Sequence, residues 1–445
     1  MSKYFGTDGI RGQANKELTA TIAYRIGRFI GQYKRGEKPN EILIARDTRI
    51  SGPLLLNGLV AGILSSGGNV TDLGVSTTPS VSYLTRTEGY DYGIMISASH
   101  NPYYDNGIKL FNRNGEKIEA EIEELLDKYI DSPEDYLPLA VNDEIGVYTT
   151  RPELRKKYID KILDGTKITK NINLLIDTAN GASSEIAHEV FSKLPVTYTI
   201  INDKPIGINI NARCGSTDLH ALIEEIKKHK GEYQLGVAFD GDADRVLLVN
   251  KDGKELDGDY IIYALSRALQ KLGKLRNNTV VVTVMSNLGL LQALDRLGIN
   301  HVTVGVGDKY IQAKIKEEHY SLGGEQSGHI ILGDYLNTGD GLITITHLLS
   351  LIEEAGFTLD NILDGFYKLP QKLVNVVVTN KEAVLKDHGL NELVKEVSDE
   401  LEGKGRVLVR ASGTEPKIRL MIEADSEETI DKYLPRLKEY VESIA

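Results

Sequence analysis

Short apolar runs alternate along most of this chain with stretches of helical spacing, and the runs fall into three sets. The first set is 42–45, 70–75 and 94–96. The second is 174–176, 196–201 and 235–239. The third is 280–284, 302–306 and 322 onward. Each run is short, rich in Val, Ile and Leu, and bounded by turn residues, which predicts buried strands. In each set the first run ends in a polar turn: Asp47-Thr48-Arg49, Asp177-Thr178-Ala179 or Ser286-Asn287-Leu288. A helical pattern follows, over 54–65, 184–194 and 290–297. Strands alternating with helices predict parallel sheets with right-handed crossovers. The repeat predicts three similar α/β domains with mostly parallel mixed sheets around one central cleft.

The last part of the chain reads differently. Strands are expected at 374–379, 406–409 and 418–423, and helices at 391–401 and 427–443, which suits a small α+β domain with an antiparallel sheet. The expected domains are 1–150, 151–252, 253–368 and 369–445. Linkers are expected near 131–152, 249–257 and 367–372.

The third run of each set leads into a chemically rich loop. The first loop is Ser97-Ala98-Ser99-His100-Asn101-Pro102, which puts a hydroxyl beside an imidazole at the carboxyl end of a strand. Ligands of open α/β sheets bind at such ends. Lys109 follows closely and is a candidate for proton transfer or phosphate contact. The second loop carries Asp240, Asp242 and Asp244, followed by Arg245. On an extended chain the three carboxylates point one way and repel unless a cation sits between them. A few hard oxygen ligands select Mg²⁺. A calcium loop of the EF-hand kind is excluded, because its sixth and twelfth positions hold Arg245 and Lys251. The third loop alternates Glu325, Ser327 and His329. If extended it presents all three one way, as a hydroxyl-rich ligand such as a sugar requires. Arg410, Ser412, Gly413, Thr414, Lys417 and Arg419 lie between two strands of the last domain and can chelate a phosphate. Gly6 to Gly12 is glycine-spaced and carries Arg11, a weaker signal. Each segment also has a plain reading as an ordinary polar turn.

Composition narrows the class. The chain has 445 residues, 41% of them apolar, and a formal net charge of −12, which argues against nucleic-acid binding. Cys214 is the one cysteine, so no intrachain disulfide forms and a reducing compartment is expected. No apolar run approaches a membrane span, and no signal core is seen at the N-terminus, so a cytoplasmic protein is expected.

Five motifs taken together resemble the α-D-phosphohexomutases over essentially the whole chain. They are Lys3 to Gly12, Ile96 to Pro102, the aspartate loop at 240–245, Gly324-Glu325-Gln326-Ser327-Gly328-His329, and the loop at 410–419. The forms of the first, second and fourth are most similar to the bacterial amino-sugar members. The resemblance implies that Ser99 is phosphorylated and that Asp240, Asp242 and Asp244 hold Mg²⁺ together with it. It implies that Glu325 and Ser327 hold sugar hydroxyls. Arg410, Ser412, Gly413, Thr414 and Arg419 then hold the phosphate that is not being transferred, and Arg11, His100, Lys109 and Arg245 lie at the reaction centre. The implied reaction interconverts glucosamine 6-phosphate and 1-phosphate through a 1,6-bisphosphate, with glucosamine or glucose 1,6-bisphosphate as activator, and supplies amino-sugar nucleotide and cell-wall synthesis. A glucose or mannose phosphate mutase, a metal-dependent phosphatase and a non-catalytic sugar-phosphate sensor are the other readings. The expected partner is a hexosamine phosphate, with no nucleic acid and no membrane, and a homodimer is one option for assembly. One departure is Ala411, where the family usually has proline.

Overall fold

Residues 4–6, 9–412 and 416–445 are described by the computed structural model of the chain. They divide into two units. One runs up to Met285 and includes Ile299–Leu363; the other combines Ser286–Gly298 with Asp364–Ala445.

Three sheets of the first unit repeat one strand order. In the first, Asn69–Val75, Glu41–Arg46 and Tyr92–Ile96 lie side by side in parallel, and Asp105–Asn112 returns antiparallel beside Tyr92–Ile96. In the second, Thr197–Ile201, Asn173–Asp177 and Leu235–Phe239 take the same places, with Val246–Asn250 as the return strand. In the third they are Asn300–Val304, Thr279–Thr283 and Leu322–Gly324, with Ile330–Leu332 returning. Gly9–Gln13 and Phe5–Gly6 extend the first sheet beyond its return strand, and Tyr148–Thr150 closes the opposite edge. The middle strands Tyr92–Ile96 and Leu235–Phe239 are buried at every position, as expected where helices cover both faces.

The return strand is the feature that the apolar pattern did not predict. In the first sheet it carries Asp105, Asn106 and Gly107, residues of low strand propensity that read as loop. Pairing on both sides, with Tyr92–Ile96 and with Gly9–Gln13, overrides that propensity. All three expected linkers contain strand residues, the last at the start of Gln371–Val377. Tyr148–Thr150 lies within 131–152. Glu255–Leu256, within 249–257, pairs with Val246–Asn250 across a tight turn in which Gly253 has φ +80°.

In the second unit, Gln371–Val377, Lys417–Glu423 and Arg406–Ala411 form an antiparallel sheet in that order. Helices His388–Glu400 and Glu427–Ser443 pack on it through a core that includes Val397, Leu420, Leu437 and Val441. Helix Leu288–Arg296 also belongs to this unit. The buried Glu423 carboxylate accepts from Leu288 N at 2.9 Å and pairs with Arg406 at 2.7 Å. Among the described residues no helix is long and apolar enough to cross a membrane.

Candidate active site

The repeated return strand turns each loop at the carboxyl end of a third strand into a hairpin connection. In the first unit these three connections meet. Ser99 Oγ donates to Asp240 Oδ2 at 2.6 Å, and its other near neighbour is His100 Nδ1 at 3.4 Å. Ser99 is buried and holds φ at +52°, a region that L residues enter only when their surroundings hold them there. Lys109 sits on the return strand opposite Met95. Its ammonium lies 2.8 Å from Asp242 Oδ2 and 3.2 Å from Asp244 Oδ2. Arg11 pairs with Gly107 on the adjoining strand, so it shares a sheet face with Lys109.

The aspartate loop is a turn and not the extended segment expected. Ala243 N donates back to Asp240 O at 3.1 Å, and Ala243 takes φ +57°. The carboxylates converge because the antiparallel return, with Phe239 opposite Val246, leaves only a short connection. One oxygen from each of Asp240, Asp242 and Asp244 lies within 4.8 Å of the others. Burial and then the charges of Asp244 and Asp242 push the Asp240 carboxyl well above the usual carboxylate range. Asp242 Oδ1 is buried with no hydrogen-bond partner. Three buried carboxylates facing one lysine fit a cation, and the site can hold a metal ion.

The loop that carries Glu325, Ser327 and His329 is not extended. Gly328 N donates to Glu325 O at 3.0 Å and Gly328 takes φ +90°, so this loop too is a turn. Ser327 Oγ donates to Glu325 Oε2 at 3.4 Å, and Gly307 N donates to Glu325 Oε1 at 3.1 Å. His329 is buried. Its Nδ1 is 3.9 Å from Asp244 Oδ2 and its Nε2 3.8 Å from Asp308 Oδ2. His329 therefore sits between the aspartate loop and Asp308. Gly258 packs directly on this turn: a Cβ there would come 1.9 Å from Glu325 O.

Burial, then the guanidinium groups of Arg245 and Arg11, pull the His100 imidazole down to about 4, so it is neutral at pH 7. Arg11 and Arg245 thus lie close enough to His100 to act on an anionic group bound beside Ser99, and Arg245 also stands 3.9 Å from Asp244.

In the second unit, Arg410 and Arg419 are directly opposite each other on paired strands. Like charges at such a position destabilise a sheet unless an anion lies between them. Burial and the neighbouring Arg419 lower the Arg410 guanidinium from its ordinary value. Arg419 Nη2 donates to Ser412 Oγ at 3.4 Å, and Ser412 N donates to Lys417 O at 2.9 Å. The arrangement suits a phosphate. Gly413 and Thr414 lie outside the described residues.

Several residues that shape the site were not singled out by sequence. Thr78 donates its N–H to Asp242 O at 3.1 Å and its hydroxyl to Asp242 Oδ2, tying the aspartate loop to the start of helix Thr78–Glu88. Asn211 Nδ2 donates to Ser99 O at 2.8 Å. Asp47 and Arg49 underlie the serine loop. Their signal was a charged Asp-x-Arg turn just after the strand Glu41–Arg46, with its apolar stretch 42–45.

The family descriptions for phosphoglucomutase/phosphomannomutase match in four successive parts: α/β/α domain I over residues 2–137, domain II over 156–253, domain III over 257–369 and the C-terminal domain over 373–439. The phosphoglucosamine mutase of Caldicellulosiruptor saccharolyticus is 48% identical over 452 residues, covering 100% of this chain and 99% of that protein. That of Brevibacillus brevis is 44% identical, covering 99% of each. Among solved structures, a phosphoglucomutase/phosphomannomutase family protein of Burkholderia thailandensis superposes with TM-score 0.80 at 23% identity, covering 99% of this chain and 98% of that one. The Aspergillus fumigatus N-acetylphosphoglucosamine mutase, solved with GlcNAc-6P and magnesium, superposes with TM-score 0.69 at 18% identity, covering 100% of this chain and 96% of that one. With three α/β/α domains and a C-terminal domain matched in order, the chain belongs to the phosphoglucomutase/phosphomannomutase family.

Proposed function

We propose that the chain interconverts glucosamine 6-phosphate and glucosamine 1-phosphate, the activity of a phosphoglucosamine mutase. The observation that carries this reading is the 2.6 Å contact of Ser99 Oγ with Asp240, inside a cluster of three buried carboxylates. Full-length relatives of that name, 43–48% identical, support the choice of sugar.

Ser99, carrying a phosphoryl group, donates it to the free hydroxyl of the bound sugar phosphate. The sugar oxygen bonds to phosphorus as the Ser99 Oγ–P bond breaks, and the hydroxyl proton leaves to a nearby base. His100 and Lys109 are the two candidates for that base. The resulting 1,6-bisphosphate turns over, and its other phosphate returns to Ser99. Net, the phosphate has changed position and the enzyme is regenerated. Arg11 and Arg245 supply fixed positive charge to the transferring group, where most catalysis of phosphoryl transfer lies. Asp240, Asp242 and Asp244 would hold Mg²⁺, which when bound neutralises negative charge on that group. Glu325 and Ser327 orient sugar hydroxyls, and Arg410, Ser412 and Arg419 grip the phosphate that is not reacting.

The test is ³¹P NMR of the protein with MgCl₂, a trace of glucose 1,6-bisphosphate, and glucosamine, glucose or mannose 6-phosphate in parallel. Glucosamine 1-phosphate should form fastest, and Ser99→Ala should abolish it. A faster hexose would move the substrate assignment to another member of the family. Release of inorganic phosphate alone would mark a phosphatase.

A further inference from the structure

Arg49 is a fully buried cation outside the group just described. Its side chain has no solvent exposure, yet it touches none of the three loop carboxylates through an ion pair; its partner is Asp47, at 2.8 Å. The rest of its guanidinium is spent on the main chain of the serine loop. Nη2 donates to Ser99 O at 2.9 Å and to Asn101 O at 2.8 Å. Nη1 donates to Asp105 O at 3.0 Å and to Pro102 O. A planar fork with five fixed donors that meets four carbonyls of one loop sets the shape of that loop.

The same network reaches Ser99 from its other side. Asp47 Oδ2 accepts from Arg49 Nε and from Ser97 Oγ, the latter at 2.7 Å. Ser97 Oγ in turn accepts from Ser99 N at 2.9 Å. The N–H before the Ser99 Cα and the carbonyl after it are thus both tied to one buried ion pair. Both dihedrals of Ser99 are held, which is what its φ of +52° requires. The ion pair stands on the end of the Glu41–Arg46 strand, and Ser97 on the end of the neighbouring parallel strand Tyr92–Ile96, so the reference frame is the sheet itself.

We propose that Arg49, acting through Asp47 and Ser97, is a positioning residue that aims Ser99 Oγ for phosphoryl transfer. This rests on the reading of Ser99 as the phosphoryl carrier. Transfer needs the donor and acceptor oxygens in line, and misplacement of order 1 Å costs about a hundredfold in rate. A network that only stabilised the fold would change how much protein is folded without changing turnover by each folded molecule.

The test uses the full chain as wild type, Ser97→Ala, Arg49→Lys and Ser99→Ala. Ser99 phosphorylation by glucose 1,6-bisphosphate with MgCl₂ is followed by intact mass, turnover by ³¹P NMR, and folding by circular dichroism. Ser97→Ala removes one oxygen atom and should fold, with kcat lowered about tenfold or more and KM within about twofold; Arg49→Lys should lose about a hundredfold in kcat, the scale of a displaced nucleophile. Both should slow Ser99 phosphorylation in proportion. Folded Ser97→Ala and Arg49→Lys proteins with wild-type kcat would overturn the inference. If Arg49→Lys does not fold, Ser97→Ala decides alone. Failure of the underlying reading looks different: wild-type Ser99 would take up no phosphate, or Ser99→Ala would turn over normally.

Discussion

The Lys109 ammonium lies 2.8 Å from the Asp242 carboxylate with both side chains buried, and a second carboxylate, Asp244, stands 3.2 Å away. The lysine therefore shares its counter-charges with any cation that the aspartates bind. Removing one partner of a buried pair leaves an uncompensated charge, at about 3–5 kcal/mol. Lys109→Met should be destabilised by that order in EDTA. It should also gain more stability from MgCl₂ than wild type does, since the divalent ion then supplies all the positive charge. Thermal melts of both proteins with EDTA and with MgCl₂ make the comparison. Equal MgCl₂ shifts in the two would sink the idea.

Arg410 and Arg419 oppose each other on paired strands, a costly arrangement that an anion relieves. If they hold the phosphate that is not reacting, they bind ground state and transition state alike. Losing such an interaction raises KM and leaves kcat nearly unchanged. Arg419→Ala should raise KM for the sugar phosphate about 10–100-fold, the loss of about one charge-assisted hydrogen bond. Steady-state kinetics reads this. A variant whose kcat falls while KM stays put would place Arg419 in the chemistry instead.

Gly258 leaves no room for a side chain, because a Cβ would stand 1.9 Å from the Glu325 carbonyl. Gly258→Ala must move the turn that presents Glu325 and Ser327, at a stability cost of about 1–3 kcal/mol for overpacking. Sugar binding should weaken while Ser99 stays in place. The expected readout is a raised KM with the MgCl₂-induced melting shift retained. Wild-type KM in the folded variant would show that the turn yields without consequence.

His347, 1% exposed on helix Gly341–Glu354, is pulled down to about 4 by burial and then by the charge of Lys161. Its ordinary value is about 6.5. The unfolded chain therefore takes up this proton first, and the folded protein is disfavoured as pH falls through the window from about 6.5 to 4. The contribution is fully lost below about 4 and amounts to roughly 3 kcal/mol at 1.36 kcal/mol per unit. His347→Gln should flatten that part of the acid limb. Urea midpoints of both proteins at pH 4.5 and 7.5 check it; a gap between them that does not change with pH would refute the assignment.

Much of this protein was legible in the order of its residues. Apolar runs ending in Ser97, Asp240 and Gly324 mark three middle strands, because a strand covered on both faces admits few polar side chains. Charged and hydroxyl residues packed directly after such runs mark the loops, since only the strand ends of an α/β sheet leave space for them. Thus Ser99, the aspartates and Lys109 could be named from the sequence. The first return strand could not, because Asn106 and Gly107 have no preference for a strand and take one only between two neighbours. The shape of the loops followed from that. Return strands make hairpin turns, with Ala243 and Gly328 in left-handed conformations, and His329 stands within 3.9 Å of Asp244. Arg49 and Asp47, read as an ordinary polar turn, acquire their part only when the sheet sets two parallel strand ends side by side. Local pattern marked the candidate residues; pairing between distant strands decided which of them the fold brings together.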